Sequence, residues 1–168
     1  MSGLALIHNW FPDPYLTGTK TKPELENATV EYWTSPFMMV NVKALKDGFS
    51  AATWTITGLP ADTELTACVR YFASGHKGAF RPLIVAKSNF VSIASSAEIT
   101  GADGISTVPF TVPSDGIIKL RLSAPNKAGE DTAYSRVMIT ETATFDQINA
   151  LIGGSMVFGY NLMPAPRR

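Results

Sequence analysis

Residues 52–57, Ala52-Thr53-Trp54-Thr55-Ile56-Thr57, alternate apolar with polar side chains. Successive side chains of a β-strand point to opposite faces, so this alternation predicts a strand with one buried and one solvent-facing side. Residues 58–62, which include a Gly and a Pro, then predict a turn. The alternation resumes over residues 64–72, where the odd-numbered residues from 65 to 71 share one face and Arg70 lies on the other.

Similar short segments occur on both sides of this stretch. They predict strands at residues 4–11, 30–33, 37–43, 83–86, 89–93, 107–112, 116–123 and 134–140. Pro109 has no N–H to donate, so its strand is expected at a sheet edge or at a bulge. Residues 12–29 are polar and turn-rich and are interpreted as a long surface loop. Short strands with turns roughly every ten residues are typical of a β-sandwich or barrel, and a parallel α/β sheet is disfavoured because no long helices alternate with the strands.

The hydrophobic period changes near the C-terminal end. Thr144 and Gln147 have the spacing of a capping box, in which a Thr caps the helix and a Gln three residues later reaches back. Gly153-Gly154 is expected to end this short helix. We therefore expect an all-β domain over residues 1–143, with a helix and tail over residues 144–168 packed on the same domain.

The composition excludes several classes of protein. The chain has 168 residues, which is enough for one domain with a hydrophobic core; 45% are apolar, 17% are charged, and the formal net charge is zero. We predict neither nucleic-acid binding nor membrane insertion, because the chain has no net positive field and no bilayer-length apolar stretch. The single cysteine, Cys68, is interpreted as a packing residue. Residues 1–5 do not resemble a signal peptide, so synthesis in a cytoplasm is expected.

No sequence pattern predicts a catalytic or metal centre. His8 and His76 lie far apart, and neither has a further His or Cys at a zinc-ligand spacing. A nucleophile elbow, a phosphate-binding loop and a dinucleotide fingerprint are all missing. We therefore predict a protein that is not an enzyme and uses no cofactor and no metal. Two alternatives stay open: a calcium site built from separate loops with Asp13, Glu24 or Glu26, and a pair of catalytic carboxylates distant in sequence.

Aromatic residues give the best indication of a ligand site. Flat aromatic rings pack against the C–H groups of sugar rings and exclude water. Trp54 and Tyr71 share strand faces with aliphatic residues and are assigned to the core. Trp33 precedes Thr34-Ser35-Pro36 and is expected near a rim of the sandwich, where Trp33 or Tyr32 would contact a ligand. Packing and an interface with a neighbouring protein are the alternatives for these two residues.

The loop at residues 76–81 is basic. One interpretation is a solvated loop. The other is a protein–protein contact with Phe80 as its anchor and Arg81 as the partner of a carboxylate, because aromatic and Arg side chains dominate binding energy at interfaces.

Two short signatures occur at the ends of the chain. Residues 6–11 read Leu6-Ile7-His8-Asn9-Trp10-Phe11, and residues 136–139 read Arg136-Val137-Met138-Ile139. The first resembles the opening of carbohydrate-binding-module-like jelly rolls, often Leu-Ile-x-Asn-x-x-Phe, and the second resembles their closing strand. The order that follows, a Thr-rich stretch, a short helix and Phe158-Gly159-Tyr160 before Pro164, is similar to that of phage virion proteins with this fold.

The resemblance implies an antiparallel jelly-roll β-sandwich with one short C-terminal helix. It also implies a non-enzymatic structural component of a phage virion, located in the virion. The first expectation is a capsid decoration protein on the head lattice, with the major capsid protein or other virion proteins as partners and a homo-oligomer, such as a trimer, as its assembly. The alternative is a carbohydrate-binding module or small tail protein that adheres to host-surface glycans.

Overall fold

A computed structural model describes residues 8–34 and 38–151 of the chain. Twelve strands and one helix occur within these residues. They are β1 (Glu24–Glu26), β2 (Ala28–Trp33), β3 (Met39–Ala44), β4 (Ala51–Ile56), β5 (Glu64–Phe72), β6 (Ala79–Phe80), β7 (Leu83–Ala86), β8 (Ser92–Ser95), β9 (Ile99–Thr100), β10 (Asp103–Thr111), β11 (Ile118–Ser123), β12 (Asp131–Glu141) and α1 (Thr142–Leu151).

The strands form two antiparallel five-stranded sheets that pack face to face. The order is β1-β4-β11-β7-β8 in one, which we call the β4 sheet, and β10-β5-β12-β3-β2 in the other, the β5 sheet; β6 and β9 form a small separate ribbon. The inward residues of both sheets make one core, which includes Trp54, Leu120, Leu65 and Tyr134. The expected all-β jelly-roll sandwich with one short helix is confirmed.

Strands with clear alternation were predicted well. Glu64–Phe72 and Leu83–Ala86 form strands with the expected bounds, and β4 runs from Ala51 to Ile56, one residue earlier than expected. Pro109 lies in β10, which pairs with β5 alone at one edge of the sheet. An edge strand has one side without ladder partners, so the missing N–H of Pro109 is tolerated there.

The prediction of a loop over residues 12–29 is wrong at its C-terminal end. Residues 24–26 form β1, which pairs with β4, and β2 already begins at Ala28. All three residues of β1 are exposed, so its sequence lacks the burial alternation that reveals a strand. This edge strand is nevertheless important, because it brings two glutamates to the outer face of the β4 sheet.

The strand expected at residues 89–93 is also wrong, since β8 runs from Ser92 to Ser95. Phe90 has a positive φ of 67° and lies in a tight turn, in which Lys87 N–H donates to Val91 O at 2.8 Å and Phe90 N–H to Lys87 O at 2.9 Å. Phe90 and Val91 are exposed. These apolar residues lie at the tip of a hairpin, although their sequence pattern is that of a buried strand.

Strand β12 contains a bulge between Ser135 and Met138. Arg136 takes a left-handed φ of 58° at this point. The extra residue changes which side chains face inward: Tyr134 is in the core before the bulge, and Val137 and Ile139 are in the core after it. The bulge is where the N-terminal segment docks. Residues 4–7 of the expected first strand lie outside the described residues, and at residues 8–11 only Asn9 forms a ladder bridge.

Helix α1 begins at Thr142, so the expected cap at Thr144 is wrong; Thr144 is already helical. The Oγ1 atoms of Thr142 and Thr66 are 2.9 Å apart and share a hydrogen bond, which ties the helix start to β5. Residues 153–168, to which the helix stop and the tail were assigned, lie outside the described residues. Their expected packing on residues 1–143 therefore stays a prediction.

The helix covers part of the outer face of the β5 sheet. Phe145 of α1 packs on Cys68 of β5 and Met138 of β12, and all three side chains are buried. This burial raises the pKa of the Cys68 thiol to about 11, although its hydrogen bond with Thr107 acts in the opposite direction. The interpretation of Cys68 as a packing residue is confirmed. The outer face of the β4 sheet has no such helix over it in the described part of the chain.

Candidate functional site

A groove lies on this outer face of the β4 sheet. Its floor is set by the strand register: Arg121 of β11 is opposite Thr53 of β4, and Glu24 of the edge strand β1 is opposite Thr53 from the other side. Residues two apart on a strand share a face, so Lys119 and Glu26 lie on the same side. Inward-facing neighbours such as Leu120 anchor these strands in the core.

Two ion pairs cross the groove. Lys119 Nζ is 3.3 Å from Glu24 Oε1 and donates a hydrogen bond to Thr55 Oγ1 at 2.8 Å. Arg121 donates through Nη2 to Glu26 Oε2 and through Nε to Thr53 Oγ1 at 3.1 Å. Only 11% of the Lys119 side chain and 12% of the Arg121 side chain are exposed, against 61% for Glu24 and 58% for Glu26. The cations are thus recessed, and the carboxylates form the outer layer.

Two phenylalanines flank the cations. The guanidinium carbon of Arg121 is 4.6 Å from the ring centre of Phe49 and 5.1 Å from that of Phe90, and Lys119 Nζ is 4.9 Å from the Phe90 ring centre. Contacts of this kind are cation–π interactions. Phe49 and Phe90 are 44% and 42% exposed, so each ring also presents surface to solvent. We call the site made by Glu24, Glu26, Lys119, Arg121, Phe49 and Phe90 the charged groove.

The charged groove holds a cavity of about 360 Å³, lined by Glu24, Leu25, Glu26, Thr53, Phe90 and Arg121. Leu25 is 49% exposed and adds apolar surface at the open edge of the sheet. Exposed apolar rings beside a few fixed polar groups are the usual composition of a small-ligand site. The arrangement can pack a flat apolar surface and can accept hydrogen bonds at the carboxylates.

A second cavity of about 270 Å³ is lined by Phe49, which does not line the first. Phe80 and Arg81, the predicted interface pair, line it. Phe80 is 6% exposed, so its ring is part of the wall and is not an exposed anchor. Arg81 is exposed on the surface and donates from Nη1 to Ser96 O at 2.9 Å. A protein contact through Arg81 stays a prediction.

Tyr32 and Trp33, the predicted ligand contacts, lie in β2 at one edge of the β5 sheet and so outside the charged groove. They are consecutive in a strand and therefore face opposite sides of the sheet. Tyr32 packs against the core, and this burial and the charge of Asp13 raise its pKa. Trp33 is 37% exposed. A ligand contact at Trp33 or Tyr32 stays a prediction.

The alternative of a calcium site finds no support in the placement of its ligands. Asp13 accepts hydrogen bonds from its own loop: Oδ1 from Thr17 N–H at 3.1 Å and Oγ1 at 2.8 Å, and Oδ2 from Gly18 N–H at 2.8 Å. Glu24 and Glu26 are engaged with the cations of the charged groove. Among residues 8–34 and 38–151, no three His, Cys, Asp or Glu side chains are arranged to hold a metal ion. No helix within the same ranges has the length and hydropathy to cross a membrane.

A separate polar cluster joins the loop after β5 to the start of β12. His76 lies between two carboxylates, with Nε2 2.9 Å from Asp131 Oδ1 and Nδ1 3.4 Å from Glu130 Oε2. Glu130 also accepts hydrogen bonds from the backbone N–H groups of Lys77 and Gly78. Burial acts to raise the pKa of Glu130, but these hydrogen bonds and His76 outweigh it, so the pKa is lowered. The cluster fixes the loop that leads to Phe80.

Most residues of the charged groove were not predicted as a site. The alternation of β11 does place Lys119 and Arg121 on the outward face. The sequence analysis named Glu24 and Glu26 only as candidate calcium ligands. No pattern pairs them with these cations, because the glutamates belong to an edge strand without alternation and both phenylalanines lie outside strands. Exposed phenylalanines in turns beside outward basic residues would have been the only available indication.

The fold is similar to that of several solved structures. TmCBM61, solved in complex with β-1,4-galactotriose, matches with a TM-score of 0.54 at 17% identity over 80% of this chain and 99% of that chain. The arabinose-bound MgGH51 α-L-arabinofuranosidase matches with a TM-score of 0.59 at 12% identity over 82% of this chain. The enzymatically active domain of tailspike protein 4 of bacteriophage CBA120 matches with a TM-score of 0.53 at 11% identity over 79% of this chain.

The match covers different shares of these proteins. It spans 27% of the arabinofuranosidase chain and 21% of the tailspike chain, but nearly all of TmCBM61. Other carbohydrate-binding modules also match over most of their length. The fold is therefore the jelly-roll sandwich of carbohydrate-binding modules, and at these identities the likeness concerns the fold alone. No protein-family model and no curated protein matches the chain in sequence.

Proposed function

We propose that the protein is a non-catalytic carbohydrate-binding protein that holds a glycan in the charged groove. The observation that carries this proposal is the pair of half-exposed rings, Phe49 and Phe90, each in a cation–π contact with Arg121 beside two outward carboxylates. A sugar has apolar C–H faces and hydroxyl edges. The phenylalanine rings can pack on the C–H faces of a sugar, and the carboxylates can accept hydrogen bonds from its hydroxyl groups.

The groove is already organised for this task. Arg121 is held by Glu26, by Thr53 and by the two rings, and Lys119 is held by Glu24 and Thr55, so little side-chain ordering remains for a ligand to induce. Ordering flexible side chains on binding costs affinity, and a preorganised site avoids that cost. The fold likeness to carbohydrate-binding modules supports the same function.

The carboxylates of the groove suit binding better than catalysis. Glycoside cleavage requires one carboxyl group that carries a proton and a second that acts as nucleophile or base. Glu24 and Glu26 instead each form an ion pair with a recessed cation. We therefore expect the purified protein to bind a glycan and leave its linkages intact, and product analysis after prolonged incubation with that glycan tests this.

A glycan array with the purified protein tests the proposal, followed by affinity measurements on variants. Phe90→Ala is expected to weaken binding of an array-positive glycan by roughly tenfold or more, because it removes the aromatic ring that lines the cavity. Ile105→Ala is the matched control, since Ile105 is similarly exposed on β10 of the other sheet. An array without any bound glycan would refute the proposed function.

A role in a phage virion is a second candidate, supported by the likeness to the tailspike domain. In this hypothesis, the protein is a virion adhesion component whose charged groove binds a host-surface glycan. No observation on the described residues favours capsid decoration or oligomer formation. Immunogold labelling of particles tests the location. Label at the tail would support adhesion, and label over the head lattice would favour decoration.

A further inference from the structure

We infer that Glu24 and Glu26 set the charge selectivity of the charged groove: they shield Lys119 and Arg121 and restrict the ligand to glycans without acidic groups. This inference rests on the proposed function and names the ligand class of the same site. It follows from the burial of the two cations and the exposure of the two carboxylates.

The recessed cations have little capacity left for a ligand. Both side chains are about nine-tenths covered, by the rings of Phe49 and Phe90, by threonine hydroxyls and by the carboxylates. An acidic sugar that approached Arg121 or Lys119 would first contact the carboxylate of Glu26 or Glu24. Like charges placed together at an interface are strongly unfavourable.

The exposed carboxylates of Glu24 and Glu26, unlike the cations, retain capacity to bind a ligand. Toward the described residues, Glu24 uses only Oε1 and Glu26 only Oε2, so within this part of the chain the second oxygen of each can accept a hydrogen bond from a ligand. An ionised carboxylate can accept hydrogen bonds and cannot donate them. A ligand group that contacts these carboxylates must therefore donate a hydrogen bond, as the hydroxyl groups of a neutral sugar do.

The charges of the four residues sum to zero, two cations against two anions. Replacing both glutamates by glutamine keeps the side-chain length and changes this sum to plus two. The cations would then face solvent without a negative layer in front of them. The same groove should therefore accept an acidic glycan once the two carboxylates are gone.

Titration of isotope-labelled protein with hexagalacturonate, followed by NMR, tests the inference. In the wild type we expect no shift of the Arg121 Nε–H signal. In the double variant Glu24→Gln/Glu26→Gln we expect shifts there and at Phe90, affinity at least about tenfold above the wild type, and loss of binding at high salt. The double variant Glu31→Gln/Glu64→Gln is the matched control, because it removes two exposed charges from the β5 sheet.

Two outcomes would overturn the inference: wild-type protein that binds hexagalacturonate as tightly as the Glu24→Gln/Glu26→Gln variant, or a folded variant that does not bind it at all. Backbone spectra establish that the variant is folded. The glycan array reports separately on the proposed function. If the wild type binds no glycan, that function fails, while the hexagalacturonate titration still reports whether the carboxylates exclude anions.

Discussion

Asn9 is hydrogen-bonded to Ile139, which lies 130 residues further along the chain: the Asn9 Oδ1 atom accepts the Ile139 N–H at 3.0 Å. The same side chain donates from Nδ2 to Val137 O at 3.1 Å, and Oδ1 also accepts the Phe11 N–H at 3.1 Å. Asn9 is fully buried. One side chain thus satisfies three backbone groups beside the β12 bulge, and it joins the two end signatures of the sequence.

Asn9→Ala is expected to lower the free energy of unfolding by about 2–4 kcal/mol, because three buried backbone groups lose their hydrogen-bond partner. Urea denaturation measures the change. Asn89→Ala serves as the control: Asn89 also accepts a backbone N–H, that of Val91, but in an exposed turn, so a change within about 0.5 kcal/mol is expected. Equal effects of the two substitutions would contradict the account of Asn9.

Gly116 permits a close approach of two turns. Its φ is +69°, and a Cβ added there would lie 2.6 Å from the backbone oxygen of Leu59. Gly129 has a similar φ of +81° with no atom within 4 Å of the added Cβ. Both Gly→Ala variants incur the cost of a left-handed conformation, about 1 kcal/mol, but only Gly116→Ala adds a backbone clash.

Thermal or urea unfolding should therefore show Gly116→Ala to be the less stable of the two variants by at least roughly 1 kcal/mol. Because the two substitutions are chemically identical, the difference isolates the contact with Leu59. Equal stabilities would mean that the turn relaxes and that the contact does not restrict residue 116.

Glu130 is expected to make stability depend on pH in the acidic range. Its pKa in the folded protein lies below the ordinary value of 4.5, since the Lys77 and Gly78 N–H groups and His76 outweigh the effect of burial. A lowered pKa means that the stabilisation is present above the unfolded-state value and is lost as the pH falls through the folded-state value. Stability should thus decline on acidification below about pH 4.5.

Glu130→Gln removes this titration, so the decline in urea midpoint between neutral and acidic pH should be shallower than in the wild type. Glu64→Gln, at an exposed position on β5, is the control and should keep the wild-type slope. Parallel curves for wild type and Glu130→Gln would show that Glu130 does not contribute.

Cys68 should be unreactive in the native protein. Burial beneath α1 raises the pKa of its thiol to about 11, and only the thiolate reacts with disulfide reagents. Because Cys68 is the single cysteine, an aromatic disulfide reagent gives an unambiguous signal. We expect slow labelling in buffer and rapid labelling in denaturant; rapid labelling of folded protein would contradict the packing of α1 on β5.

The alternation of apolar and polar residues predicted which side of several strands faces the core. The inward faces of β4 and β5 follow from alternation, and so does the outward direction of Arg121. Three features depend on pairing and could not be read in this way: the exposed edge strand that carries Glu24, the turn that presents Phe90, and the bulge at Arg136 that reverses the alternation of β12. Each is defined by contacts with residues distant in the chain.

The choice of Tyr32 and Trp33 as ligand contacts rested on residue type. Their chemistry suits a sugar; Tyr32 is partly buried against the core and Trp33 is exposed, and a ligand contact at either residue stays a prediction. The structure also brings Phe49 and Phe90 to the same guanidinium, although the two residues are distant in the chain. Sheet pairing supplied this proximity.

The most direct test of the proposed function is an NMR titration of the labelled protein with a glycan that is positive on the array. We expect chemical-shift changes concentrated at the Arg121 Nε–H and at the backbone of Phe49, Phe90 and Thr53. We also expect that Phe90→Ala abolishes most of them and that Trp33→Ala leaves them in place. Shifts centred on Trp33 and β2, with an unperturbed Arg121, would contradict the assignment of the charged groove as the binding site.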